Sequence, residues 1–201
     1  MMRRAFLTPG ILWASLTLLI SGAVQASPTE DALRLWAAQS GDWEGTIEIY
    51  GPGGPGEPGE PNNSEPQTVD LKTTWATTPK GDVPVKIETF LTPDRQMSSV
   101  TVMVSEPSSG EIITSYFANG RQRDYRFAVL DVSKTDDTHW VTVIASPGGE
   151  EIYEDRPAVL RYVRTRRGNT IENTKEVNFL DDDGDDTYEL RSFIRQSLIS
   201  Q

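Results

Sequence analysis

Apolar and polar residues alternate along most of the chain from Trp43 onward. In the runs 69–75, 83–87 and 100–104, valine, isoleucine, leucine or tryptophan occupies most of the alternate positions. A period of two is typical of a β-strand with one face on a core. We therefore predict about ten strands, lying near residues 43–50, 69–75, 83–87, 100–104, 111–117, 122–132, 138–145, 158–166, 170–180 and 187–197.

Short turn signals separate these runs, among them Asn119-Gly120, Pro147-Gly148-Gly149 and Arg167-Gly168-Asn169. Short connections force successive strands to pair antiparallel, because parallel neighbours need long crossovers. A long open sheet would leave two exposed edges, which closure removes. We predict an all-β fold, an antiparallel up-and-down meander that closes into a barrel of about ten strands. A two-sheet sandwich is the alternative.

One short helix should precede the strands. Ser27 offers a capping hydroxyl, Pro28 suits a first helical turn, and Leu33, Trp36 and Ala37 have helical spacing. We expect Gly41 to end this helix.

Residues 1–26 have the composition of a cleavable export signal. Arg3 and Arg4 precede an apolar run at 11–20, and small residues end at Ala26. We expect cleavage after Ala26, a single domain at 27–201, and a periplasmic or secreted location. The two arginines also fit a twin-arginine signal, and the sequence leaves this alternative to ordinary secretion open.

Residues 51–66 are rich in glycine and proline and interrupt the strand pattern, so we predict a flexible loop there. Gly51, Gly53 and Gly56 match the spacing of a dinucleotide-binding motif. Pro52 and Pro55, however, remove the backbone amides that such a site needs, and no helix follows. We do not expect a nucleotide site.

The charge balance and composition exclude several classes of function. The formal net charge of −11 opposes nucleic-acid binding. The absence of cysteine excludes disulfides and thiolate metal sites. No apolar run outside the predicted signal approaches the roughly 20 residues of a membrane-spanning helix. We expect a monomer without a membrane span.

The short helix, the sequence Gly41-Asp42-Trp43 at the first strand and the long meander resemble the calycin group, which includes lipocalins, fatty-acid-binding proteins and nitrobindin-like barrels. The resemblance implies that Gly41 and Trp43 lie at the closed end of the barrel. It also implies that an arginine of the last strand, Arg191 or Arg195, covers the Trp43 indole. The sequence does not choose between the two.

Candidates for chemistry are few. His139 is the only histidine, and no nucleophile motif accompanies it, so we expect it in a surface turn. Nitrobindin-like barrels bind haem through a histidine near the chain end, where this chain has none, and we expect no cofactor. The acidic run 181–186 fails the spacing of a calcium loop, and we expect no metal site.

Arginines alternate with aromatic residues in two strands. An arginine such as Arg123 could bind a ligand carboxylate inside the barrel, or the arginines could pair with Glu172, Glu176 and Glu189 on neighbouring strands. We expect an exported, non-catalytic protein that binds a small apolar or amphipathic molecule in the barrel cavity. A filled barrel acting as an envelope scaffold and an enzyme acting in the cavity are the alternatives. The candidate ligand-binding residues are Trp75, Tyr116, Arg123, Tyr125 and Phe127.

Overall fold

A computed structural model describes residues 26–51, 66–81, 83–148, 151–181 and 187–200. These ranges contain one helix, α1 at Pro28–Ala37, and eleven strands. The strands are β1 Gly41–Ile49, β2 Gln67–Thr77, β3 Pro84–Leu91, β4 Gln96–Glu106, β5 Glu111–Ala118, β6 Arg121–Asp136, β7 His139–Ala145, β8 Glu151–Tyr153, β9 Arg156–Arg167, β10 Thr170–Phe179 and β11 Glu189–Ser200.

The strands form one antiparallel sheet that closes on itself. Neighbours follow the chain from β1 to β7, β7 pairs with β9, β9 with β10, and β10 with β11, which returns to β1. The predicted meander and barrel are therefore confirmed. The short strand β8, which the sequence did not predict, pairs with β9 beyond the point where β7 ends.

Helix α1 begins as the sequence predicts. The Ser27 hydroxyl accepts a hydrogen bond from the Glu30 amide, and the Glu30 carboxylate accepts one from the Ser27 amide at 2.8 Å. The helix ends at Ala37 with Ala38 as its C-cap, so the expectation that Gly41 ends it is wrong. Gly41 is the first residue of β1, and its φ of 133° lies in a region that favours glycine.

Helix α1 lies across one end of the barrel, which we call the helix end. Thr29 donates its hydroxyl hydrogen to the carbonyl of Gly110 in the β4–β5 turn. Arg34 forms an ion pair of 2.7 Å with Asp137 in the β6–β7 turn. The Trp36 indole donates to the Thr142 hydroxyl at 3.2 Å. These contacts fasten the helix to several strand ends at once.

The strands differ in whether their apolar residues face the barrel interior. Val69, Leu71, Thr73 and Trp75 of β2 are buried, and the residues that alternate with them are exposed. In β4, by contrast, Ser99, Thr101 and Met103 are buried, so the valines at 100, 102 and 104 point outward.

Three predicted features lie wholly or largely outside the described residues. They are the export signal, which is described only at Ala26, the loop at 51–66, described only at its two ends, and the acidic run, described only at Asp181. Within the described ranges, no helix has the length and apolarity needed to cross a bilayer.

Candidate functional site

The barrel encloses a cavity of about 360 Å³, within the volume range of small-molecule pockets. It runs from Trp36 at the helix end toward Tyr153 and Arg191 at the opposite end. Its lining residues come from α1 and from all the barrel strands except β2. The apolar and aromatic ones are Trp36, Ile47, Ile49, Phe90, Met103, Tyr116, Tyr125, Phe127, Ile144, Tyr153, Tyr162 and Ile194.

One wall of the cavity is an aromatic cluster contributed by β6 and β9. The rings of Tyr125 and Phe127 stack with centroids 6.2 Å apart, and Tyr162 meets Phe127 edge to face at 5.4 Å. Burial raises the pKa of the Tyr162 hydroxyl above its ordinary value. This wall offers a ligand a large, rigid apolar surface with hydroxyl groups at its margins.

The charged groups on the lining are mainly cationic, although the protein as a whole is acidic. Lys86, Arg164, Lys175 and Arg191 line the cavity, and Glu88 is the lining residue with a negative charge. Lys86 and Glu88 lie two residues apart on β3 and form an ion pair of 2.9 Å. Burial lowers the pKa of Lys86, and the Glu88 carboxylate opposes that shift.

Arg164 of β9 points into the cavity close to the helix end. Its guanidinium carbon lies 4.9 Å from the ring centroid of Trp36 and 4.9 Å from that of Trp75. Its buried Nη1 atom has no hydrogen-bond partner. Burial lowers the pKa of Arg164 to about 10, so the group stays charged at neutral pH. The two indoles hold it in a cation–π sandwich without neutralising it.

The cations nearer the opposite end, Arg191 and Lys175, lie within the field of carboxylates. Arg191 forms ion pairs with Glu154 at 3.2 Å and with Glu189 at 3.1 Å. Lys175 Nζ lies 4.0 Å from the ring centroid of Tyr153. Burial lowers the pKa of Lys175 to about 8, and the Glu154 carboxylate opposes this shift.

The structure brings three of the five predicted ligand-binding residues onto the cavity wall, namely Tyr116, Tyr125 and Phe127. Trp75 is buried and lies behind the wall, against Arg164. Arg123 is exposed and does not line the cavity, although it shares a sheet face with Tyr125. It lies two residues from the start of β6, where the strand reaches the solvent at the barrel rim.

Trp43 is buried at the helix end, and its indole donates to the Gln39 carbonyl at 2.9 Å. The arginine over its ring is Arg166 of β9, with 5.4 Å between guanidinium carbon and ring centroid. The expectation of Arg191 or Arg195 from the last strand is therefore wrong.

The two predicted arginines of β11 have other contacts. Arg191 is buried near the opposite end of the barrel, where it pairs with Glu154 and Glu189. Arg195 is exposed on the outer surface, and its Nη2 lies 2.8 Å from Glu172. Arg166 takes the expected place because the end of β9 lies beside α1, and its Nη1 donates to the Ala38 carbonyl at 2.9 Å.

His139 lies at the β6–β7 turn, outside the cavity, with its side chain 55% exposed. Its Nδ1 is 3.2 Å from Asp136 Oδ1. Hydrogen bonds from the Thr138 hydroxyl and amide lower the pKa of Asp136 to about 2. In the described ranges, no group of three or more histidine, aspartate or glutamate side chains is arranged to hold a metal ion.

Sequence reasoning missed Arg164, Lys86 and Lys175 as cavity residues. A signal for Arg164 was present, because it alternates with Leu160 and Tyr162, two residues typical of a buried face. For Lys86 and Lys175 the sequence carries no such signal, since lysine at an alternating position ordinarily marks the solvent face.

Comparisons with protein families, with curated proteins and with solved structures found no match to this chain.

Proposed function

We propose that this is an exported, non-catalytic protein that binds a small apolar or amphipathic molecule inside its β-barrel. The observation that carries the proposal is the cavity of about 360 Å³, walled by Tyr125, Phe127 and Tyr162. Ligand pockets are typically apolar concavities with a few convergent polar groups, and this lining has that composition.

The cavity favours a binding role over the two alternatives. A barrel serving only as a scaffold has no need of unfilled interior volume, since close packing is the ordinary state of protein cores. For catalysis, His139 lies outside the cavity, and the Glu88 carboxylate on the lining is engaged by Lys86 at 2.9 Å. Because, among the described residues, no histidine lines the cavity and its one carboxylate is held by Lys86, the lining favours binding without catalysis.

The proposal includes a calycin-like relationship and an envelope location. A closed antiparallel barrel with a helix across one end, and with Trp43 buried there, is compatible with the calycin group. The export signal at 1–26 supports a periplasmic or secreted protein. Amino-terminal sequencing of the exported protein should begin at Ser27, and retention of residues 1–26 would contradict the signal assignment.

Native mass spectrometry tests the binding proposal. The protein should be purified from its own cell envelope without refolding, so that a resident molecule stays bound. We expect an additional mass that disappears on denaturation. We also expect the stripped protein to bind the uncharged dye Nile red in a saturable manner. Absence of both would refute the proposal.

Two variants on β5 test whether the bound molecule lies in the cavity. Thr114 lines the cavity, whereas its neighbour Ser115 lies on the outer face of the same strand. Thr114→Phe should fill part of the cavity and abolish the additional mass and the dye binding. Ser115→Phe adds the same ring outside and should leave both unchanged. Equal effects of the two variants would place the binding elsewhere, and thermal melts of both verify folding.

One observation favours a second function, docking of a protein partner on the outer surface. The outer face of β3, β4 and β5 is largely apolar, and Ile87, Val104 and Phe117 are exposed there at 42%, 37% and 39%. A contiguous apolar patch on a soluble surface is typical of an interaction site. Phe117→Lys should abolish a partner interaction without changing Nile red binding, and an interaction that survives it would contradict docking on this face.

A further inference from the structure

The helix end of the cavity contains an uncompensated positive charge. Arg164 projects there from β9. Among the described residues it forms no ion pair, and its buried Nη1 has no hydrogen-bond partner. Burying an isolated charge is strongly unfavourable, and proteins ordinarily pair such groups. A bound anionic ligand can therefore act as the counterion that Arg164 lacks.

The surroundings of Arg164 fix its position. Trp36 and Trp75 lie on it at equal centroid distances of 4.9 Å, which restrains the guanidinium plane without using its N–H groups. Asn173, the cross-strand neighbour of Arg164 in β10, is buried, lines the cavity and has an Oδ1 without a hydrogen-bond partner. Two unsatisfied polar groups thus lie next to each other at the same end of the cavity.

The charges around Arg164 favour a ligand with a single negative charge. Lys86 and Glu88 are close to Arg164, and their 2.9 Å ion pair cancels one charge of each sign. Arg164 then remains with one net positive charge. At the opposite end of the cavity, the two carboxylates of Glu154 and Glu189 balance the charges of Arg191 and Lys175, so an anion has less to gain there.

We propose that Arg164 binds the anionic head group of a singly charged amphiphile, such as a medium-chain carboxylate, with the head at the helix end. The apolar chain then lies along the aromatic wall of Tyr125 and Phe127 toward the opposite end of the barrel. This inference rests on the proposed binding function and adds the class of ligand and its orientation. Hydrogen bonds from a guanidinium to a carboxylate are charge-assisted and discriminate strongly against uncharged heads.

Isothermal titration calorimetry with decanoate and decanol tests the inference, because the two probes share the chain and differ in the charge of the head. We expect decanoate to bind at least about ten-fold more tightly than decanol, as the loss of a charged hydrogen bond generally requires. Arg164→Met should lower decanoate affinity by at least about ten-fold and leave decanol affinity unchanged. Arg164→Lys should retain part of the preference for decanoate.

Arg167→Met is the matched control, since Arg167 is on the same strand but its side chain is 72% exposed on the outer surface. This variant should bind both probes as the unmodified protein does, and thermal melts verify the folding of all three variants. Equal binding of decanoate and decanol, or an Arg164→Met protein that keeps its decanoate affinity, would overturn the head-group site alone. Failure of both probes to bind the unmodified protein would overturn both the head-group site and cavity binding.

Discussion

Replacing Trp43 by alanine should remove the largest fully buried side chain in the part of the chain that the structure describes. The Trp43 side chain is 1% exposed, and its indole donates to the Gln39 carbonyl at 2.9 Å. Burial of roughly 200 Å² of indole surface at about 25 cal/mol per Å² corresponds to about 5 kcal/mol. The residual methyl group and compactness of the unfolded chain reduce this, and the lost hydrogen bond adds about 1 kcal/mol. We expect a loss of about 3–5 kcal/mol.

Urea unfolding followed by far-ultraviolet circular dichroism measures this loss without relying on tryptophan fluorescence. Trp43→Phe keeps a ring beneath Arg166 but removes the N–H donor, so it should lose less than Trp43→Ala. Leu130→Ala truncates a side chain that is 60% exposed and should change the free energy of unfolding by less than about 0.5 kcal/mol. A loss below about 1 kcal/mol for Trp43→Ala would show that the indole does not hold the helix end together.

Two further variants test strand packing and the buried lysine. A Cβ at Gly45 would lie 1.9 Å from the Arg195 carbonyl oxygen, so Gly45→Ala should lower the free energy of unfolding in urea by more than about 2 kcal/mol. The control is Gly148→Ala, where the nearest atom to the new Cβ lies at 3.9 Å, and its effect should be nearly neutral. Equal effects would contradict the close approach of β1 and β11. Burial lowers the pKa of Lys175 in the folded protein to about 8 from an ordinary 10.5, so the unfolded chain binds this proton more tightly. The contribution of Lys175 to the free energy of unfolding therefore rises with pH between those two values. At pH 7, Lys175→Met should therefore have a higher free energy of unfolding than the unmodified protein, and this difference should shrink toward pH 10.5. A difference that does not depend on pH would refute this account.

The strands and the helix could be predicted because their signals are local. Period-two alternation and turn residues determine where each strand begins and ends, and the hydroxyl of Ser27 together with Glu30 determines the start of α1. The antiparallel meander follows from the same local information, since short turns leave antiparallel neighbours as the available pairing. Closure does not, because it pairs β1 with β11 from opposite ends of the chain, and the sequence left a two-sheet sandwich as the alternative. The three-residue strand β8 escaped prediction because it is too short to show a period.

The site could be predicted only in part because it depends on which face of each strand is inside. Tyr116, Tyr125 and Phe127 line the cavity, and an aromatic residue on an alternating strand is a fair indication of the buried face. Arg123 has the correct face but lies too close to the barrel rim, and that depth depends on the stagger between strands. The contact between Arg166 and Trp43 joins residues from distant parts of the chain, and no local sequence pattern indicates it.

In β3 and β4 the polar face points inward, and this arrangement bears on the proposed function. Shifting either strand by one residue would exchange its two faces, since the side-chain period is two. Such a shift in β4 would bury Val100 and Val102 and expose Thr101, which burial of apolar area alone would favour. The observed register instead places Lys86 and Glu88 of β3 inside. Polar groups in the interior make a poor hydrophobic core but a suitable lining for the charged head group that we propose as the ligand, so this register supports the proposed binding function.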